Sequence, residues 1–271
     1  MSSRTLDIAG RKLGLFESGS GAPLVYLHGF ADLHGVKDTP FPFHEAIANG
    51  RHLIAPAHPG CGETAEYPDL MTIEDAVFHY LEAFDALGLE RFDLVGHCMG
   101  GWIAAEIAVR HPEKISSLSL IGASGLFVPG ALIGDVFMMA QAARGIEYDD
   151  LRAMLFADAD APLANELFPD GRGEIDDEVR RYQMLRFGSF IGFKPPYFYH
   201  RALINRLRRI TCPALVITGE HDRFVPRAIA EAYAKGIKGA KGPEVIKGAG
   251  HAAHLENPAQ VAKLVTDFLI G

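Results

Sequence analysis

Phe92-Asp93-Leu94-Val95-Gly96-His97-Cys98-Met99-Gly100-Gly101 carries an apolar strand-like run into a glycine-rich turn, and the small, apolar stretch Trp102–Val109 follows directly. The first four residues are too few for a helix and read as a buried strand. The stretch from Trp102 reads as a helix closed by His111-Pro112. Gly96 and Gly100 stand two places either side of Cys98, the form G-x-nucleophile-x-G. Such a sharp strand-to-helix turn strains the central residue's backbone. Side chains two positions away would collide, so glycine is required there. The turn lifts the reactive atom above the sheet and sets it at a helix N-terminus, whose positive end favours a thiolate.

Working outward, short apolar runs recur at Leu24–Leu27, His52–Ala55, Ile115–Ile121, Ala214–Thr218 and Glu244–Ile246. Leu6–Ile8 and Lys12–Glu17 flank Ala9-Gly10-Arg11 as a hairpin. Thr72–Leu87 has helical period, with Ile73, Ala76, Val77, Tyr80, Leu81 and Phe84 on one stripe, Thr72 with Asp75 as cap and Gly88 as stop. Pro226–Lys235 and Pro258–Leu269 read as further helices. Apolar runs without clean alternation, separated by helices, predict a mostly parallel sheet covered on both faces, an α/β fold. Between residues 125 and 209 the rhythm changes: Gly and Pro interrupt often and aromatic residues gather. The expected organisation is an α/β core over 1–124 and 210–271, with a helical cap inserted at 125–209.

Composition bounds the possibilities. The 271 residues are 48% hydrophobic and 22% charged, which excludes disorder and collagen-like character. Asp and Glu outnumber Lys and Arg by 34 to 26, a net charge of −8 with no basic stripe, so nucleic acid is not expected as a partner. The three cysteines, Cys61, Cys98 and Cys212, make no disulfide framework, and neither a Cys-x-x-Cys pair nor a His-Glu-x-x-His motif suggests a metal. The start, Met1–Ile8, lacks a signal-peptide core. Leu126–Ala143, the most apolar long stretch, is broken by Pro129, Gly130, Gly134 and Asp135, short of the roughly 18 apolar residues that span a bilayer. A cytoplasmic protein with reduced thiols, no membrane partner, no cofactor and a monomeric or homodimeric state is the expectation.

With the elbow at Cys98, four further segments fall in one order. They are His28-Gly29-Phe30 after the third strand, His58-Pro59-Gly60-Cys61-Gly62-Glu63 after the next, Gly219-Glu220-His221-Asp222-Arg223-Phe224-Val225-Pro226, and Gly248-Ala249-Gly250-His251 through Glu256-Asn257-Pro258. In this the chain resembles the α/β-hydrolase superfamily over nearly its whole length. The resemblance implies a Cys98–His251–Asp222 triad in the superfamily's chain order, with Cys98 attacking an acyl carbonyl, His251 moving protons and Asp222 orienting the imidazole. Glu220 is the neighbouring rival acid. Ile121-Gly122-Ala123-Ser124, where some members carry the acid, has no carboxylate. The backbone N–H groups of Phe30 and Met99 would form the oxyanion hole. His28 would brace that loop beside the substrate.

Most relatives have Ser at the position of Cys98, and three explanations stand side by side. The chain is a native cysteine hydrolase, as the dienelactone hydrolases are, or a Ser→Cys variant, or a relative with hydrolysis weakened in favour of binding or acyl transfer. A thiolate leaves a tetrahedral intermediate readily, which suits thioesters, activated esters and lactones. The substrate expected is a small acyl compound with an apolar portion, contacted by Phe127, Phe137, Met138, Phe187, Phe190 and Tyr197 of the cap. The alternatives are a carbon–carbon bond hydrolase of the meta-cleavage-product type, for which Arg186 and Arg201 are the candidate dienoate-holding arginines, an acyltransferase, and a non-catalytic small-molecule receptor.

Overall fold

The computed structural model describes residues 2–135, 148–171, 174–193 and 196–270. Its sheet has eight strands: β1 (Ser2–Ile8), β2 (Arg11–Gly19), β3 (Ala22–Leu27), β4 (Arg51–Pro56), β5 (Phe92–His97), β6 (Ile115–Ile121), β7 (Ala214–Gly219) and β8 (Lys241–Ile246). Their spatial order is β1-β2-β4-β3-β5-β6-β7-β8. β1 and β2 form the expected hairpin, with Ile8 opposite Arg11, and β2 joins β4 antiparallel. Every pairing from β4 onward is parallel. β5 lies mid-sheet and is buried at every residue, as a continuous apolar run requires.

Helices cover both faces. They are α1 (Pro42–Ile47), α2 (Ile73–Ala86), α3 (Met99–Arg110), α4 (Asp149–Leu155), α5 (Pro162–Leu167), α6 (Ile175–Ile191), α7 (Leu203–Arg206), α8 (Arg227–Gly236), α9 (Ala253–Glu256) and α10 (Pro258–Ile270). Capping of α2 is as the sequence predicts: Asp75 N–H donates to Thr72 Oγ1 at 3.2 Å and Thr72 N–H to Asp75 Oδ2 at 2.8 Å. α3 begins at Met99, three residues before the expected start, because the elbow itself forms its first turn. α1 has no counterpart in the sequence reading; its six residues are too short to show a period. The chain between β6 and β7 holds α4 to α7 and, among the described residues, no strand of the sheet. No helix among them is long and apolar enough to cross a membrane.

Two apolar clusters flank the sheet, one centred on α2 and α3 and one on α1 and α10. α3 is buried along its length from Met99 to Val109. Its small residues let it lie close on the sheet. A Cβ on Gly101 would stand 2.6 Å from the Ala123 Cβ, and one on Gly96 would stand 2.5 Å from the Gly100 carbonyl oxygen. The loops after β3, β5, β6, β7 and β8 therefore all emerge at one edge, the C-terminal ends of the parallel strands, where ligands bind in open α/β sheets.

Candidate active site

Cys98 occupies the turn between β5 and α3 with φ 55° and ψ −117°, a left-handed conformation that non-glycine residues rarely adopt. Neighbouring strand ends hold it there. Its N–H donates to the Ile121 carbonyl at 3.0 Å, while its own carbonyl accepts from Ser124 N at 3.2 Å and Trp102 N at 3.1 Å. The thiol is buried, and burial pushes it up to about 11; His97 and the backbone N–H groups of Met99 and Phe30 pull the other way. Phe30, from the loop after β3, and Met99, from the elbow, are the two residues whose N–H groups the sequence assigns to an oxyanion hole, and both line the chamber at Cys98.

His251 lies in the loop after β8 and Asp222 in the loop after β7. The imidazole Nδ1 donates to Asp222 Oδ2 at 2.9 Å, and both side chains are fully buried. Asp222 Oδ1 accepts from Phe224 N at 3.0 Å and Val225 N at 2.7 Å, so the carboxylate is fixed by its own loop. His251 Nε2 is buried with no hydrogen-bond partner among the described residues. Gly122, at φ +50°, leaves room beside this pair because it has no Cβ, which would stand 3.1 Å from His251 Cε1 and 3.3 Å from Asp222 Oδ2. Glu220, the rival acid, is exposed and accepts from Gly248 N at 2.9 Å instead. The histidine loop is pinned by Glu256, which accepts from Gly250 N at 2.7 Å and Ala157 N at 2.9 Å.

Asp32, a residue the sequence reading passed over, organises the floor of the site. Its carboxylate accepts from Tyr26 Oη, from Leu33 N at 2.7 Å and from Gly29 N at 3.3 Å. Three imidazoles surround it: His254 Nε2 at 3.2 Å, His97 Nδ1 at 3.3 Å and His44 Nε2 at 3.4 Å. Burial works to raise its pKa, but His254, His44 and His97 bring the carboxyl well below the usual carboxylate range. One carboxylate thus joins the β3 loop, the elbow and the histidine loop. Asp32, His97 and His254 also offer three ligand atoms within 4.8 Å of one another, yet the carboxylate is already met by three donors of its own chain. The only sequence sign of this cluster is a carboxylate close behind His28-Gly29 in a chain with 12 histidines.

The sequence-derived substrate contacts scatter. His28 Nε2 accepts from His58 N at 3.0 Å and its Nδ1 faces Gly29 O at 3.2 Å, so the buried ring braces the loop and turns no nitrogen to a ligand. Arg186 pairs with Glu66 at the surface, with Phe190 against it, and Arg201 is exposed. Phe187 stacks on His58, ring centroids 4.4 Å apart, inside the core. Phe127 and Tyr197 are partly exposed and line an outer groove. Phe137 and Met138 lie outside the described residues. The chamber at Cys98 is lined instead by Phe30, Met99, Met184, Leu185, Phe198 and Phe224, with Gly188 at its edge. Phe224 also packs edge-on against His251 at 4.8 Å. Met184 and Gly188 sit four apart on α6, a spacing that marks a helix face but not what it faces.

Residues 22–258 match the family model described as the alpha/beta hydrolase fold, and the chain belongs to that family of enzymes. It is 30% identical to monoacylglycerol lipase abhd6-A of Xenopus laevis, over 93% of this chain and 76% of the relative. It is 29% identical to 2-hydroxymuconate semialdehyde hydrolase of Pseudomonas sp. strain CF600, over 98% and 93%. Among solved structures, carboxylesterase CesB of Bacillus subtilis superposes with a TM-score of 0.78 at 21% identity, covering 99% of this chain and 91% of that one. A meta-cleavage product hydrolase of Pseudomonas fluorescens IP01 superposes at 0.77 with 20% identity, covering 98% and 97%.

Proposed function

We propose that the protein hydrolyses a carboxylic ester, thioester or lactone with an apolar acyl portion through an acyl-enzyme on Cys98. The observation that carries this reading is the 2.9 Å His251–Asp222 bond at the same sheet edge as a strained, buried Cys98 that shares its chamber with Phe30 and Met99. Asp222 fixes the proton on Nδ1 and leaves Nε2 as the base. A thiol near 11 is protonated at neutral pH, so it attacks by general-base catalysis and not as a resident thiolate. As sulfur bonds to the acyl carbon, its proton passes to His251 Nε2 and the carbonyl oxygen becomes an oxyanion between the two N–H groups. Collapse expels the alcohol or thiol, which takes the proton from His251. Water, deprotonated by His251, then attacks the thioester and releases the acid, restoring the thiol. The helices between β6 and β7, over residues 125–209, act as the cap in this reading.

The relatives include lipases, esterases and carbon–carbon bond hydrolases, and the ester reading is preferred for a specific reason. Holding a dienoate needs a cationic group in the site, and Arg186 is engaged by Glu66 at the surface. The test is intact mass after mixing with p-nitrophenyl esters. Acyl mass on the protein that vanishes in Cys98→Ala supports the reading; no adduct and no turnover in either the protein or its Cys98→Ser form overturns it.

A further inference from the structure

Beside the chamber at Cys98 lies a second, larger cavity. The chamber at Cys98 measures about 10 Å³, at the threshold for a single water. The outer groove measures about 450 Å³, within the range of small-ligand sites. Its walls include Leu126, Phe127, Leu132, Phe193, Tyr197 and Tyr199, and Asp135 is the one charged residue among its described lining. Such walls suit an uncharged aliphatic or aryl chain.

Among the described residues, Phe198 alone lines both cavities. Its backbone is clamped at φ 53°, the left-handed region that a bulky side chain rarely enters. Phe198 N–H donates to the Gly192 carbonyl at 3.0 Å, and its carbonyl accepts from Gly125 N at 3.0 Å. The ring presses on Gly192, where a Cβ would stand 2.7 Å from its Cδ1. A second link crosses the same wall. Gly134, which lines the groove, donates to the carbonyl of Phe224 at 2.7 Å, and the Phe224 ring lines the chamber. Groove and chamber are therefore neighbours divided by side chains, with Phe198 as the shared face.

We propose that the outer groove seats the acyl chain of the substrate and that the Phe198 ring is the partition dividing it from Cys98. This rests on the ester-hydrolase reading above. With the ring in place the chamber has no room for an acyl group, so chain length is set by how the ring yields to the groove behind it.

The test compares kcat/KM for p-nitrophenyl acetate and p-nitrophenyl decanoate. Phe198→Ala raises the decanoate-to-acetate ratio about tenfold, the scale on which apolar pockets discriminate. Phe198→Trp lowers it. Leu132→Glu, at a groove position 77% exposed and so unable to disturb the core, also lowers the ratio about tenfold. A ratio unmoved by these changes, or rates that fall in parallel for both esters, overturns the partition. Calorimetric titration with decanoate separates the two readings. If no ester is turned over, the hydrolase reading fails, while tighter decanoate binding by Phe198→Ala and weaker binding by Leu132→Glu still upholds the groove. Equal binding by all forms sinks it.

Discussion

Replacing Asp222 with Asn keeps the shape of the site and changes which atom of His251 carries the proton. Asp222 Oδ1 accepts from Phe224 N at 3.0 Å and Val225 N at 2.7 Å, so the amide oxygen of Asn must take that place. The amide NH2 then faces His251 Nδ1, where Oδ2 stood at 2.9 Å. Imidazole meets a donor with its lone pair, which moves the ring proton to Nε2 and removes the base that the proposed mechanism supplies to the Cys98 thiol. The same change in serine proteases costs about 10⁴ in kcat, or ~5.5 kcal/mol, and a loss of that order is expected here. Stability should barely change, because both backbone donors keep an acceptor. Asp222→Ala would orphan them, at about 1.5–3 kcal/mol for each hydrogen bond to a charged group. At about 2 °C per kcal/mol for a chain of this length, calorimetry separates the two variants easily. The reasoning is refuted if Asp222→Asn retains more than about a tenth of wild-type kcat on p-nitrophenyl acetate, or loses as much Tm as Asp222→Ala.

Other consequences can be measured directly. A Cβ at Gly100 would collide with the Leu27 carbonyl oxygen and stand 2.5 Å from that of His28, so Gly100→Ala should lose upwards of about 4 kcal/mol in urea unfolding; an unchanged midpoint contradicts this. With the Cys98 thiol near 11, its alkylation by iodoacetamide should climb about tenfold per pH unit from pH 7 to 10, and a plateau near neutrality would rule that value out. Glu106, inside α3, is raised by burial but brought below the ordinary carboxylate range by His200 and Arg110. A depressed folded value means stabilisation that is complete above the unfolded pKa and lost as pH falls through the folded one. Glu106→Gln should therefore destabilise the protein at neutral pH, and the gap to wild type in urea unfolding should narrow as pH falls below the ordinary carboxylate range; a constant gap refutes the assignment.

Residues whose roles depend on backbone geometry were readable in sequence. Gly96 and Gly100 announce a turn that no other residue fits, and the structure finds both against neighbouring backbone. His251 and Asp222 come from the resemblance to the α/β-hydrolase superfamily, through the order of the Gly219–Pro226 and Gly248–Pro258 segments, and the structure pairs the two at 2.9 Å. The chamber walls were not readable. Met184 and Leu185 face Cys98 because of how α6 lies, and Phe198, beyond the end of α6, because its backbone is tied to Gly192 and Gly125. Phe127 and Tyr197 have the same aromatic character as Phe198, and only tertiary placement sets them in the outer groove while Phe187 goes to His58. Asp32 was invisible for a related reason: its partners His97 and His254 are brought to it from distant parts of the chain.

That distance has a kinetic meaning. The carboxylate of Asp32 is contacted from residue 26 at one end of the chain and residue 254 at the other, with residues 44 and 97 between. Contacts of such separation form late, after loop-closure entropy has been met by the rest of the sheet. The floor of the site is therefore a record of completed folding. A partly folded chain that has built its elbow and α3 but not yet docked α9 has the sulfur without the floor beneath it. Recovery of the proposed ester hydrolysis during refolding should then report closure of the whole sheet, and lag behind helix formation.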